Sequence, residues 1–543
     1  MNSRLELVWP GKDKFLLVPK DDDGKPVWVE TDHPAAREVR LTDFVASHGE
    51  VDDDDPWCDN LLFTGDSIDV LRVLRDVPEY ARHYRGKVKL VYIDPPFNTG
   101  QTFRHYDDWM EHSTWLSFMR DRLMLIKDVL SADGSVWVHL DDAEIHRMRC
   151  LMDEVFGDDN YVGTIVWRSS DNSNNDAKSI SLDHNTILVY SRQFGWESNR
   201  LPASLEDLPH FKNPDDDPRG PWFDGNPLNS PAPRPELTYD IVGPNGDTIS
   251  PPANGWRWSK NTLEERMATG EIRFSADGKS IKRRTYFEDH KGLPPSSLWA
   301  DITKTGASRQ AKYELKQLHS GQPTRDLFDT PKPERLLHRI IHVATNPGDI
   351  VLDCFGGSGT TAAVAHKMDR RWITAEVVPA TVAAFTVERL TKVISGKDPG
   401  GITALVNWMG GGGFRQVVIA PSMYETTPLG VMLADWATKE RFERAVAGQL
   451  GFEWQSAKHK PFCGVRGRMR LAVFDGEVGI EEVREVIAAL DDRDRVTIVA
   501  KVVLPGVEEF VVNQSKGSRV KKAPRDLLAG RDGRVHIRAG GTT

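Results

Sequence analysis

The chain has 543 residues, of which 39% are hydrophobic and 28% charged, with a formal net charge of −10. That length exceeds what one hydrophobic core supports, so about three domains are expected, and the composition is ordinary for a soluble globular protein. No apolar run approaches the ~18 residues a bilayer span needs, and the amino terminus lacks the charged-then-apolar order of a signal peptide, so a cytoplasmic address is expected.

In chain order, residues 1–56 read as an accessory segment. Short strand-like pieces at 5–9 and 27–29 alternate with Pro-Gly and Asp-rich turns and close on the acidic run 52–55. Residues 57–192 then alternate strands and helices. A strand at 60–64 ends in Gly65-Asp66-Ser67, with Ser67 placed to cap a helix carrying Ile68, Leu71 and Leu74. The apolar run 90–93 leads straight into Asp94-Pro95-Pro96-Phe97. A helix over 115–130, a break at Gly134, a strand at 135–140, a helix over 143–155 and strands near 165–167 and 187–190 follow. Strands separated by helices predict an α/β fold with a doubly wound, mostly parallel sheet.

Composition changes near Gln193. From 193 to 328 the chain is dense in Pro, Gly, Asn and Trp, as expected of a loop-rich insert that carries recognition. The α/β pattern resumes over 329–415, with strands at 349–353 and 372–376 and helices over 333–345, 360–368 and 380–393. Beyond the glycine run 410–413, residues 422–543 form a smaller α+β domain with a β-α-β-like run over 469–503. Cys58, Cys150, Cys354 and Cys463 lie far apart without a C-x-x-C pair, so neither a metal site nor a disulfide framework is expected, and each reads as a small buried hydrophobe.

The net acidity alone argues against a nucleic-acid partner, yet the distribution differs from the sum. From Lys279 to Lys316 there are nine Lys/Arg against four Asp/Glu, and from Lys516 to the end eight against two. Two basic surfaces on an acidic chain follow.

Two stretches carry chemistry. Two consecutive prolines cannot donate to a sheet ladder, so they end the strand and stiffen the turn after Asp94, presenting Asp94 and Phe97 at a strand's carboxyl end, where ligands of open α/β sheets sit. The second is Asp353-Cys354-Phe355-Gly356-Gly357-Ser358-Gly359-Thr360-Thr361, a glycine loop between a strand and a helix, followed by a strand ending at Glu376. Glycines admit close backbone approach, the helix start offers N–H donors, and an acid at that distance can bind ribose hydroxyls. Gly357, Gly359 and Ala362 also satisfy G-x-G-x-x-A, which leaves a dinucleotide site as a competitor. Hydride transfer has no use for a Pro-stiffened carboxylate and aromatic ring on another strand, whereas methyl transfer to an exocyclic amine does. Asp94 and the Pro95 carbonyl would hold the amine's two hydrogens while Phe97 stacks on the extruded base, and the rate would come mainly from alignment.

These residues resemble the amino-methyltransferases of DNA in the order where the catalytic tetrad precedes the cofactor motif, the β class. Asn98-Thr99-Gly100, Phe328, Pro331-Lys332-Pro333, Asn407-Trp408 and Phe414-Arg415 further resemble the modification (Mod) subunits of type III restriction–modification systems. The resemblance covers roughly residues 57–415. It implies a Rossmann-like methyltransferase with its catalytic half at 57–192, a target-recognition insert at 193–328 and its cofactor half at 329–415, leaving 422–543 for association or docking. It implies S-adenosylmethionine bound by Asp353, Phe355, Gly357, Gly359, Thr360 and Glu376, with Asp66 and Lys332 as further wall residues, and catalysis by Asp94, Pro95, Pro96 and Phe97. It also implies double-stranded DNA as partner, with a homodimer and a restriction (helicase/nuclease) subunit as further partners. Asp at the first tetrad position resembles adenine-N6 enzymes, while those modifying cytosine-N4 more often carry Ser. Two alternatives stay open: an N4-cytosine enzyme, and a DNA-binding specificity subunit that recruits a restriction partner.

Overall fold

The computed structural model describes residues 6–17, 27–31, 33–99, 110–173, 177–225, 228–320, 323, 327–427, 430–455 and 460–528. They fall into two compact units, one formed by the chain up to Glu197 and from Ser296 onward, the other by Ser198–Pro295.

In the first unit the apolar runs pair into one ten-stranded sheet. Its strands are β1 (Thr42–Gly49), β2 (Leu61–Thr64), β3 (Val88–Ile93), β4 (Leu130–Leu140), β5 (Tyr161–Arg168), β6 (His184–Ser191), β7 (Leu298–Trp299), β8 (Ile350–Asp353), β9 (Arg371–Glu376) and β10 (Gly413–Ile419). They lie in the order β7-β5-β6-β4-β3-β8-β9-β2-β10-β1. All run parallel except β6 and β1. The central strands bury both faces, with Leu61, Leu62, Phe63, Val88, Leu90, Val91 and Ile93 at 0% exposure, as a sheet covered by helices on both sides requires. Covering helices include α1 (Ser67–Asp76), α2 (His112–Val129), α3 (Ile145–Phe156), α4 (Ser308–Leu318), α5 (Glu334–Ala344), α6 (Thr360–Lys367) and α7 (Val387–Ile394).

Several expectations change. Residues 6–9 are not a strand; Phe15–Leu17 pairs with Val27–Val29 instead. The segment 1–56 is not merely accessory, because β1 pairs antiparallel with β10 and closes one sheet edge. Asp66 rather than Ser67 caps α1, accepting from the Ile68 N–H at 3.0 Å. Gly134 does not break the chain but lies inside β4. Between β5 and β6 the described residues form no helix, and the two strands pair antiparallel. Cys354 and Cys463 are buried, whereas Cys58 and Cys150 are partly exposed.

The insert is narrower than 193–328. Residues 296–328 belong to the first unit, where β7 pairs with β5 and α4 carries Ser308 and Lys312 to the cavity described below. The second unit holds a three-stranded antiparallel sheet of Ile272–Phe274, Ile281–Tyr286 and Trp222–Asp224, with a small core of Ile241, Trp256, Leu263 and Ile281.

Toward the carboxyl end a five-stranded sheet contains the expected β-α-β order: Met469–Val478, the helix Ile480–Ala488 and Arg495–Val503 run as a parallel crossover with their own core. It is tied to the segment before β1, where Gln449 accepts from the Val39 N–H at 2.8 Å and Glu38 from the Met423 N–H at 2.8 Å. Among the described residues no helix is long and apolar enough to cross a membrane, and no cluster of His, Cys, Asp and Glu forms a metal site.

Candidate active site

The chain leaves β3 toward β4 on one side and β8 toward β9 on the other, while β3 and β8 pair with each other through Leu90 and Val351. This is a topological switch point, and it opens a crevice at the strands' carboxyl ends. Asp94 follows β3 there, Asp353 ends β8 and Glu376 ends β9. A cavity of about 420 Å³ occupies the crevice.

Asp94, Pro95, Pro96 and Phe97 line one side of the cavity, and Asp353, Phe355, Gly357, Thr360 and Glu376 another, with Lys332 between them. Two expected residues stand elsewhere. Asp66 caps α1 and pairs with Arg122 at 2.6 Å, both through Oδ1, and does not line the cavity. Gly359 turns the chain into α6 with φ 78°, a left-handed conformation that favours glycine. Phe328 also lines the cavity, along with Asp141, Asn185, Ser308 and Lys312, which sequence reasoning missed. Asp141 had a readable signal, since it follows β4 at the same sheet edge as Asp94. Gly100 of the motif after the tetrad lies outside the described residues.

The tetrad is held from behind. The Trp115 indole donates to the Pro96 carbonyl at 2.8 Å. Asn98, at φ 62°, donates to the buried Glu144 at 2.7 Å. The Phe97 ring stacks on His139, centroids 6.0 Å apart at 26°, and His139 shares a 2.9 Å hydrogen bond with the Tyr92 hydroxyl. Burial, and then the Lys332 cation, hold His139 well below the ordinary imidazole range, so it is neutral there.

On the other wall the glycine loop is fixed by carboxylates. Glu376 accepts from the N–H groups of Gly357 at 3.0 Å and Val378 at 2.9 Å, and Asp353 from the Phe355 N–H at 2.9 Å and the Thr361 hydroxyl at 2.5 Å. A Cβ on Gly356 would stand 2.2 Å from the Thr374 hydroxyl, and one on Gly357, at φ +49°, 2.9 Å from the Phe328 ring. Gly357→Ala is therefore expected to strain the loop by about 1–2 kcal/mol through its backbone alone and to push Phe328 into the cavity. Isothermal titration with S-adenosylhomocysteine should show a loss of at least about tenfold in affinity.

Residues 88–386 match the family model described as DNA methylase (N6_N4_Mtase). The chain belongs to the DNA methylase family. It is 31% identical to the type III restriction–modification enzyme StyLTI Mod subunit of Salmonella typhimurium over 56% of this chain and 49% of that one. To the probable HindVI Mod subunit of Haemophilus influenzae it is 29% identical over 67% and 54%, and to the type II methyltransferase M.EcaI of Enterobacter cloacae 30% over 53% and 61%. The chain thus spans about half the length of the Mod subunits it matches. Among solved structures, the PvuII DNA methyltransferase (cytosine-N4-specific) aligns at a TM-score of 0.34 and 17% identity, covering 62% of this chain and 88% of that one.

Behind the glycine loop of this methylase-family chain lies a buried ionic network. Arg389 donates to the hydroxyls of Thr360 at 2.7 Å and Ser358 at 3.4 Å and pairs with Glu334 at 3.0 Å. Glu334 pairs with Lys367 at 2.7 Å, and Lys367 with Asp398 at 2.5 Å. Each of these four ionic side chains is 0–1% exposed. Glu314 accepts from the Glu334 N–H at 3.0 Å.

Burial pushes Asp353 up to about 7, with Asp94 and Glu376 adding to the rise against the Thr361 and Phe355 bonds. Glu314 is likewise pushed up to about 7 by burial and by Glu334. In both cases the folded form keeps a proton that the unfolded chain has released, so their stabilising effect is complete below about pH 4 and is lost as pH rises through about 7. Denaturant titrations at pH 5, 6, 7 and 8 should show stability falling across this window, and Glu314→Gln, which keeps the shape and the acceptor, should flatten the fall.

Proposed function

We propose that this chain transfers a methyl group from S-adenosylmethionine to the N6 amine of an adenine extruded from double-stranded DNA, as the modification subunit of a restriction–modification system. The observation that carries the reading is the single cavity on which the Asp94 tetrad and the glycine loop converge. Residues on the loop side suit a nucleoside-bearing cofactor: Phe328 and Phe355 supply apolar faces, Glu376 an acid at a strand end, and Gly356 and Gly357 a backbone without side chains. When bound, that cofactor supplies an electrophilic methyl group.

The chain's own residues do the rest. The Asp94 carboxylate and the Pro95 carbonyl take the amine's two hydrogens, drawing its lone pair out of the ring and toward the donor. Phe97 stacks on the base, and the stiff Pro95-Pro96 backbone holds the acceptors in register, so that most of the acceleration comes from alignment. Asp94 polarises and positions the amine rather than acting as a strong base. Asp at the first tetrad position favours adenine over cytosine. The insert, with the part of the basic stretch that it holds from Lys279 to Lys291, would read the duplex, and the domain from Ser422 would serve association, with a second copy and a restriction subunit as partners. Phosphate contacts should make DNA affinity fall steeply with salt.

Incubation of the protein with methyl-labelled cofactor and unmethylated plasmid tests the reading. Label is expected in acid-precipitable DNA; label that stays in the cofactor alone, or enters protein instead, contradicts it.

A further inference from the structure

Lys332 stands where the proposed acceptor chemistry would occur. Its ammonium pairs with the Asp94 carboxylate and lies 5.2 Å from the centroid of the Phe97 ring. Those are the two side chains that the methyl-transfer reading gives to the target base, one to its amine and one to its ring. His139, buried at 0% exposure, stacks on the ring from the core, whereas Lys332, like Phe97 itself, lines the cavity. The cavity side is the one an incoming base must use. An ammonium offers N–H donors to a carboxylate and a positive charge to a ring, so it meets the demands of Asp94 and Phe97 that a polarised amine and its base would meet.

We propose that Lys332 is the resident occupant of the base subsite. It pairs with Asp94 and covers Phe97 until an extruded base displaces it, and it thereby acts as a positioning residue for the acceptor half of the reaction rather than as a wall for the cofactor. The inference rests on the methyl-transfer reading. On displacement the ammonium stays within a cavity lined by further acidic side chains, Asp141 and Asp329 among them. The Asp94 carboxylate then keeps hydrogen bonds to the amine in place of its ion pair, so parting the pair carries a net cost. Its cost falls on base capture: every productive encounter must first part Lys332 from Asp94.

The test uses the full-length protein with S-adenosylhomocysteine and a duplex bearing the methylated sequence, its target adenine placed opposite an abasic site so that extrusion is easy. Lys332→Met keeps the length of the side chain and removes the charge. It is expected to bind this duplex about five- to tenfold more tightly, as the loss of one partly buried ion pair to be broken predicts, with the affinity for S-adenosylhomocysteine measured without DNA held within about twofold. Lys332→Arg, whose planar fork grips a carboxylate through two donors, is expected to weaken duplex binding. Opposite shifts from the two substitutions cannot arise from a general loss of folding. Weakened S-adenosylhomocysteine binding in both variants, with duplex affinity unchanged or lowered in both, overturns the proposal and returns Lys332 to the cofactor side. Failure of the unsubstituted protein to methylate DNA at all removes the underlying reading, and this inference with it.

Discussion

Asp94→Ala is expected to abolish methyl transfer, lowering kcat by at least about 10²–10³-fold, the range observed when one preorganised polar group is taken from a transition state. S-adenosylhomocysteine affinity should stay within about threefold, because the loop contacts of Glu376 and Asp353 do not pass through Asp94. Asp94→Asn keeps the shape and one oxygen but gives up the charge opposite Lys332, and it should rank between the alanine variant and the native enzyme. Because Asp94 also helps to raise Asp353, either substitution should lower the pH at which Asp353 ionises. A single-turnover assay with saturating cofactor, paired with calorimetric titration, separates the effects. Near-normal turnover of Asp94→Ala would mean that the amine is held by other groups.

Lys367→Met should strongly destabilise the half that carries the glycine loop. Its ammonium is 0% exposed and neutralises Glu334 and Asp398 together, so its removal leaves two buried carboxylates short of a partner. Breaking a buried pair from one side typically costs about 3–5 kcal/mol, a large share of an ordinary domain's stability. Loss of Arg484, by contrast, should change stability by less than about 1 kcal/mol, since its pairing with Glu481 is between side chains 59% and 76% exposed. Urea titrations of the two variants, followed by intrinsic tryptophan fluorescence, make the comparison. The large cost reflects position: Glu334 opens α5 two residues after Lys332 and also anchors Arg389. One buried carboxylate therefore helps to place both the loop hydroxyls and the Asp94 partner.

The tetrad and the glycine loop were legible because their chemistry is local: two prolines stiffen one strand end, and glycines open another. Their convergence on one cavity was also legible, as the alternation of strands and helices implied a parallel sheet with its ligand edge at the carboxyl ends. Charged residues were the opaque part. Glu334, Lys367, Arg389 and Asp398 look like solvated surface in a sequence, and only the fold reveals that they neutralise one another in the core. Lys332 is similar, since nothing in Pro331-Lys332-Pro333 indicates that its ammonium meets a carboxylate 238 residues away. The edge strand Thr42–Gly49 escaped notice because its sequence, TDFVASHG, mixes polar and small residues and pairs along only one side of the main sheet. Asp66 drew attention through its position after a strand, and a carboxylate one residue before a helix also serves as its cap, as Asp66 does here through Oδ1.

The identity of the modified base bears most directly on the central claim. DNA from cells expressing the chain, digested to nucleosides and resolved by mass spectrometry, should contain N6-methyladenine when the chain is intact and none when Asp94 is replaced by Ala. N4-methylcytosine in its place, or N6-methyladenine that persists in the Asp94→Ala strain, would contradict the account.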